Sequence, residues 1–168
     1  MADRTPLVGI VMGSDSDLEI MQEAASALKK FDVPYEITVA SAHRSPERAS
    51  KYAKDALKRG MKVIIAGAGH AAHLAGAMAA YTLLPVIGVP IDSSCLKGLD
   101  ALLSTVQMPP GIPVATVSIG KPGARNAGIL AVQILAVSDT ELQNKLKAYK
   151  KELAKQVEDK ARKIEPGD

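Results

Sequence analysis

The sequence is poor in aromatic residues: 168 positions include no Trp, one Phe and four Tyr. A core without large rings must be filled by Ala, Val, Ile and Leu, whose small side chains let helices sit close to a sheet. The single cysteine, Cys95, excludes an internal disulfide and points to a reducing compartment. No apolar run is long enough to span a bilayer and no N-terminal stretch resembles a signal peptide, so the expected location is cytoplasmic, with no membrane partner. The two signs of charge nearly balance, with 21 Lys and Arg against 18 Asp and Glu. The formal net charge is +3, and much of the excess lies in Lys145, Lys147, Lys150, Lys151, Lys155 and Lys160, interleaved with Glu152, Glu158 and Asp159. That alternation reads as a solvated helix face, so no nucleic-acid partner is inferred. Neither a P-loop nor a Gly-x-Ser-x-Gly elbow occurs, so ATP and a serine nucleophile are not indicated.

What is present is ordinary for a soluble globular protein, with 47 % hydrophobic and 23 % charged residues. Short apolar runs alternate with helical patterns: strands over Leu7 to Met12, Tyr35 to Ala40, Lys62 to Ala66, Pro85 to Val89 and Val114 to Ser118. Helices are expected from Leu18, from Pro46 to about Arg59, from Ala71 to about Tyr81, from Gly98 to Gln107 and from Ala124 to Val137. Gly67 to His73, Pro90 to Lys97 and Gly120-Lys121-Pro122-Gly123 read as loops or turns. Successive βα units imply a parallel sheet with right-handed crossovers and helices on both faces, an α/β three-layer sandwich of flavodoxin-like or Rossmann-like type. Ser138-Asp139-Thr140-Glu141 resembles a capping box opening a long C-terminal helix to about Ile164. Its apolar stripe, Leu142, Leu146, Tyr149, Leu153 and Val157, would overhang a compact sandwich, which suggests a homo-oligomer. The Ala71 to Ala80 helix is apolar nearly all round and is expected to be buried. The expected organisation is a sandwich over 1–137 and a helical extension over 138–168.

Ser41-Ala42-His43-Arg44 stands between an expected strand and a helix opened by Ser45 as N-cap, Pro46 at the first helical position and Glu47. His43 then lies at the carboxyl end of a strand, the edge where open α/β sheets bind ligands. Imidazole is suited to proton transfer near neutrality and guanidinium to phosphate or carboxylate. The same residues would also serve as a capping turn with two exposed polar side chains. Gly13-Ser14-Asp15-Ser16-Asp17 offers a helix N-terminus for a phosphate, hydroxyls from Ser14 and Ser16, and a carboxylate, Asp17, suited to a ribose diol; N-capping is the plainer reading. Gly67-x-Gly69-x-x-Ala72, with Asp92 further on, fits a dinucleotide fingerprint but sits on the third βα unit instead of the first. His70 and His73 are too weak a pair for a metal site, and capping or core hydrogen bonding is the expected role of each. Cys95, in Ser93 to Gly98, is expected to be a buried, inert thiol.

Together, Gly13-Ser14-x-Ser16-Asp17, Ser41-Ala42-His43-Arg44, the run VIIAGAG with AAHL, PVIGVP, and LLSTVQMPPGIPVATVSIG before Asn126-Ala127 resemble the bacterial 5-(carboxyamino)imidazole ribonucleotide mutases of purine biosynthesis. The resemblance runs from about Val8 to about Leu135. Arg44 and Ala71-Ala72-His73-Leu74 favour this branch over the animal-type carboxylases. The resemblance implies a flavodoxin-like sandwich, an octamer, no metal and no organic cofactor. The implied isomerase reaction moves a carboxylate from the exocyclic nitrogen of a ribosyl-phosphate imidazole to ring carbon four. By the same resemblance Ser14 and Asp17 bind substrate, Arg44 binds its anionic part, and His43 is acid and base. Ser41 and the backbone of Ala68, Gly69 and His70 would line the pocket. The chain departs from the family's usual Gly at His70 and Pro at Ala75. A carboxylase using free carbon dioxide and a non-catalytic nucleotide-binding module are the rival readings.

Overall fold

The computed structural model describes residues 5–165; residues 1–4 and 166–168, at the two ends of the expected spans, lie outside the described residues. Five parallel strands form one sheet: β1 (Val8–Met12), β2 (Tyr35–Val39), β3 (Val63–Gly69), β4 (Val86–Ile91) and β5 (Ala115–Thr116), in the order β2-β1-β3-β4-β5. This is the flavodoxin-like order. β1 is buried along its whole length, as a central strand covered on both faces should be. The helices are α1 (Leu18–Lys30), α2 (Pro46–Ala56), α3 (Leu74–Tyr81), α4 (Leu99–Val106), α5 (Gly120–Ala136) and α6 (Thr140–Ala161).

Alternation along the strands sorts the core into two layers. Val11, Ile64, Ala66 and Val86 pack with Ala49, Ala53 and Ala56 of α2 and with Leu74, Ala75 and Met78 of α3. On the other face Met21 of α1 lies over Gly67, where a β-carbon would strike its sulfur. Small residues also set the α1–α5 approach: a β-carbon at Gly128 would fall 2.7 Å from the Ala24 carbonyl oxygen and 2.7 Å from Ala27 Cβ.

The structure corrects several expected boundaries. β3 runs on through Gly67, Ala68 and Gly69, which read as loop in the sequence, because β4 pairs with it as far as Gly69 opposite Ile91. Pro90 lies inside β4 and not in a loop. Gly88 O accepts from Val117 N, so Gly88 and Pro90 face the β5 side, where pairing has ended, and the missing N–H of Pro90 leaves no partner short. α5 begins at Gly120, not Ala124: Pro122 occupies the first helical turn, where no N–H is required. β5 shrinks to two residues. α3 begins at Leu74, and its outer side, including Ala80 and Tyr81, is exposed.

The chain divides into two compact units, Met1–Val132 and Gln133–Asp168. In the second, Asp139 and not Ser138 caps α6, its carboxylate accepting from Leu142 N at 3.0 Å. Leu153 and Val157 remain exposed.

Candidate active site

Strand order reverses between β1 and β3, and a crevice at the carboxyl ends of the strands is the physical result. A cavity of about 550 Å³ occupies it, walled by the loops after β1 and β2, the end of β3 with the segment leading into α3, and Ser93 after β4. All eight site residues named from the sequence, Ser14, Asp17, Ser41, His43, Arg44, Ala68, Gly69 and His70, border this cavity.

The turn after β2 is built by two serines. Ser41 N donates to Ser45 Oγ (2.9 Å), Ser45 Oγ donates to Ser41 O (3.2 Å), and Arg44 N donates to Ser41 Oγ (3.1 Å). Ser45 therefore holds the N-cap position of α2 without a side-chain cap bond, a correction to its expected role, because its hydroxyl is committed to Ser41. The effect is to lift His43 and Arg44 off the strand end. Arg44 Nη2 donates to Gly13 O at 2.9 Å, which ties this turn to the loop after β1.

That loop forms a short 3-10 turn, Asp15–Asp17, capped by Ser14, whose hydroxyl accepts from Ser16 N. Ser16 Oγ donates to Ser14 Oγ at 2.9 Å, so the two hydroxyls act as one cluster. Asp17 is only 6 % exposed. Burial pushes its carboxyl above the ordinary value of 3.8, and the Ser16 hydroxyl, the Ser14 backbone and the charges of His70 and Arg44 act in the opposite sense. A buried carboxylate in the cavity wall is suited to receive hydroxyl donors from a ligand.

The end of β3 supplies the remaining wall. A β-carbon on Gly69 would collide with Ser93 Oγ, so glycine lets β3 and the β4 end close together. His70 follows in a left-handed conformation, φ 54°, with Nδ1 3.2 Å from Ser93 Oγ.

His73, expected only to cap a helix or to hydrogen-bond in the core, is exposed and borders the cavity. It occupies the N-cap position of α3 but makes no side-chain cap bond. Its Nδ1 lies 2.8 Å from His43 Nε2, with the rings edge to face at 82° and centroids 4.9 Å apart. One imidazole must donate and the other accept, so two neutral rings here share one tautomer: both carry the proton on Nε2 if His43 donates, and both on Nδ1 if His73 donates. His43 and His73 lie thirty residues apart, and only the β2–α2–β3 crossover, which sets these strands on either side of β1, brings them together, so no local signal marks the pair.

Two further expectations change. Cys95 is exposed, not buried: the loop after β4 is folded inward at Ser94, whose hydroxyl donates to Asp100 Oδ1 at 2.8 Å and accepts from Leu96 N, and Cys95 between them faces outward. Asp92 lies against Gly98 and Gly120 and does not border the cavity, so the dinucleotide-like spacing does not assemble a ribose acid there. Among the described residues no group of three or more His, Cys, Asp or Glu is placed to hold a metal ion, and no helix is long and apolar enough to cross a membrane.

Comparison with known proteins identifies relatives along nearly the whole chain. A protein of Pyrococcus horikoshii named N5-carboxyaminoimidazole ribonucleotide mutase is 59% identical over 165 residues, covering 98% of this chain and 92% of that protein. Its namesake in Thermotoga maritima is 56% identical over 160 residues, covering 95% and 92% respectively. The crystal structure of Treponema denticola PurE superposes with a TM-score of 0.85 at 32% identity, covering 96% of this chain and 99% of that one. The model of the family described as AIR carboxylase matches residues 7–156, and with these relatives it establishes that the chain belongs to that family.

Proposed function

We propose that this protein is an N5-carboxyaminoimidazole ribonucleotide mutase of the bacterial type, an isomerase of purine biosynthesis with His43 as its single general acid and base. The observation that carries the reading is the position of His43: lifted from the end of β2, against His73, in one cavity with Arg44, the serine cluster and Asp17. In this scheme Ser14, Ser16 and Arg44 hold the anionic end of the ribonucleotide and Asp17 accepts hydrogen bonds from its sugar hydroxyls. Ser41 shapes the turn. Ala68, Gly69 and the His70 backbone lie against the imidazole ring of the substrate.

The imidazolium of His43 gives its proton to the exocyclic nitrogen as the carbon–nitrogen bond breaks. Carbon dioxide stays in the cavity and is attacked by ring carbon four. The resulting tetrahedral carbon returns its proton to His43, so the net proton count is zero and no oxidation or reduction occurs. Acid–base help of this kind is worth roughly a hundred- to ten-thousandfold. Confinement of the gas beside the ring supplies the rest. The small side chains at the end of β3 leave space for it. The same reading places the catalytic unit in 1–137, uses the 138–168 extension in assembly of a homo-oligomer, an octamer, and locates the enzyme in the cytoplasm.

The test is isotope retention. Substrate labelled in the carbamate carbon, turned over in unlabelled bicarbonate, should deliver most of its label to the ring carboxylate. Washed-out label would identify a carboxylase that uses free carbon dioxide, and absence of turnover would leave a binding module.

A further inference from the structure

His70 adopts a backbone conformation, φ 54°, that is disfavoured for any residue carrying a β-carbon. Such strain persists where surrounding contacts over-determine the residue. Here Ser93 Oγ meets Nδ1 at 3.2 Å, and Gly69 leaves free the space in which that hydroxyl sits. The imidazole is thus anchored through one nitrogen on the β3–β4 side of the cavity, and no protein atom among the described residues takes Nε2.

The charges around the ring come from four elements. Asp17 follows β1 and Arg44 follows β2; the His43–His73 pair joins the β2 turn to the start of α3; Asp100 lies in α4, held by Ser94. Asp17 borders the same cavity as His70, and Asp100 is held through Ser94, the residue after the Ser93 that anchors the ring. The proposed ligand carries two anionic groups, a phosphate and a carboxylate, at separate places on one molecule. Arg44 and the serine cluster provide for one of them on the β1–β2 side. His43 Nε2 is engaged by His73 Nδ1 on that side, and His70, with Nδ1 on Ser93, presents Nε2 as a donor on the opposite side.

We infer that the His70 side chain is a second anion-binding group of this pocket, donating from Nε2 to an oxygen of the bound ribonucleotide while Ser93 anchors Nδ1. This rests on the ribonucleotide reading above, and it assigns the side chain a role separate from the backbone of the same residue.

The experiment compares the parent with His70→Gly by calorimetric titration. The probes are the carboxylated product ribonucleotide and the same ribonucleotide lacking the carboxylate. Glycine suits φ 54°, so the variant should fold with a Tm no lower than the parent's. A lost hydrogen bond to an anion predicts binding weaker by roughly tenfold or more. Loss confined to the carboxylated nucleotide assigns the contact to the carboxylate; loss with both assigns it to the phosphate; either supports the proposal. Ser93→Ala should weaken binding in the parent and add nothing in the His70→Gly background. Unchanged affinity of His70→Gly for both nucleotides overturns the proposal while leaving the mutase reading intact. A parent that binds neither nucleotide overturns the mutase reading, and the His70 assignment falls with it.

Discussion

Replacing His73 by Ala tests whether the pair of imidazoles works as a unit. His43 is exposed, and among the described residues its ring is held by the 2.8 Å hydrogen bond and the edge-to-face packing, both from His73. Without them the side chain is free to sample about three χ1 wells and about two ring orientations, so one productive arrangement in roughly six survives. A factor of six corresponds to about 1 kcal/mol, which matches the net worth of an ordinary hydrogen bond. Steady-state kinetics of His73→Ala should therefore show kcat lowered roughly five- to tenfold, with KM within about threefold of the parent. Asn places a hydrogen-bonding atom close to where Nδ1 stood, so His73→Asn should recover part of the loss. Parental kcat in His73→Ala would show that His43 needs no partner to hold it, and that the pair does not work as a unit.

Asp17→Asn should stabilise the protein while weakening the ligand. Burial raises the carboxyl of Asp17 in the folded state above its ordinary 3.8, so the folded chain holds that proton more tightly than the unfolded one. The ionised side chain accordingly opposes folding at neutral pH, and the opposition fades as pH falls through the folded value. Urea melts at pH 7 should favour the variant, the gap should narrow towards about pH 4, and product affinity should fall. A variant less stable than the parent at pH 7 would contradict this. Gly88→Ala should destabilise the sheet: the added β-carbon would come 2.9 Å from Val114 Cγ1, 3.3 Å from Ala75 Cβ and closer still to Thr105 Cγ2, whose side chain is fixed by a 2.7 Å bond to Ala101 O. The expected cost is about 1–3 kcal/mol, read as a lower urea midpoint with the slope unchanged.

The elements easiest to read from the sequence were those whose own composition carries the signal. β1 is a continuous apolar run between a loop and Gly13, and α2 opens at Pro46 as its N-terminal signature dictates. The errors occurred where residues are small for a reason outside their own segment. Gly67 and Gly69 resemble a loop until Met21 and Ser93 are seen to fill the space beside them. Gly120 to Gly123 has the composition of a turn, yet only the helix that follows decides that Pro122 belongs to it. The site was legible as separate loops after strands. Its assembly was not, because the contacts that complete it, Arg44 to Gly13, His43 to His73 and His70 to Ser93, each join segments more than twenty residues apart.

In the proposed mechanism one imidazole performs the chemistry and is dispensable for holding the nucleotide. His43→Asn keeps a polar side chain on the same turn and removes the titrating ring. Turnover and product affinity are measured side by side on this variant. Turnover should fall by at least about a hundredfold with affinity close to the parent's. Turnover at the parental rate, with the nucleotide still bound, would contradict that mechanism.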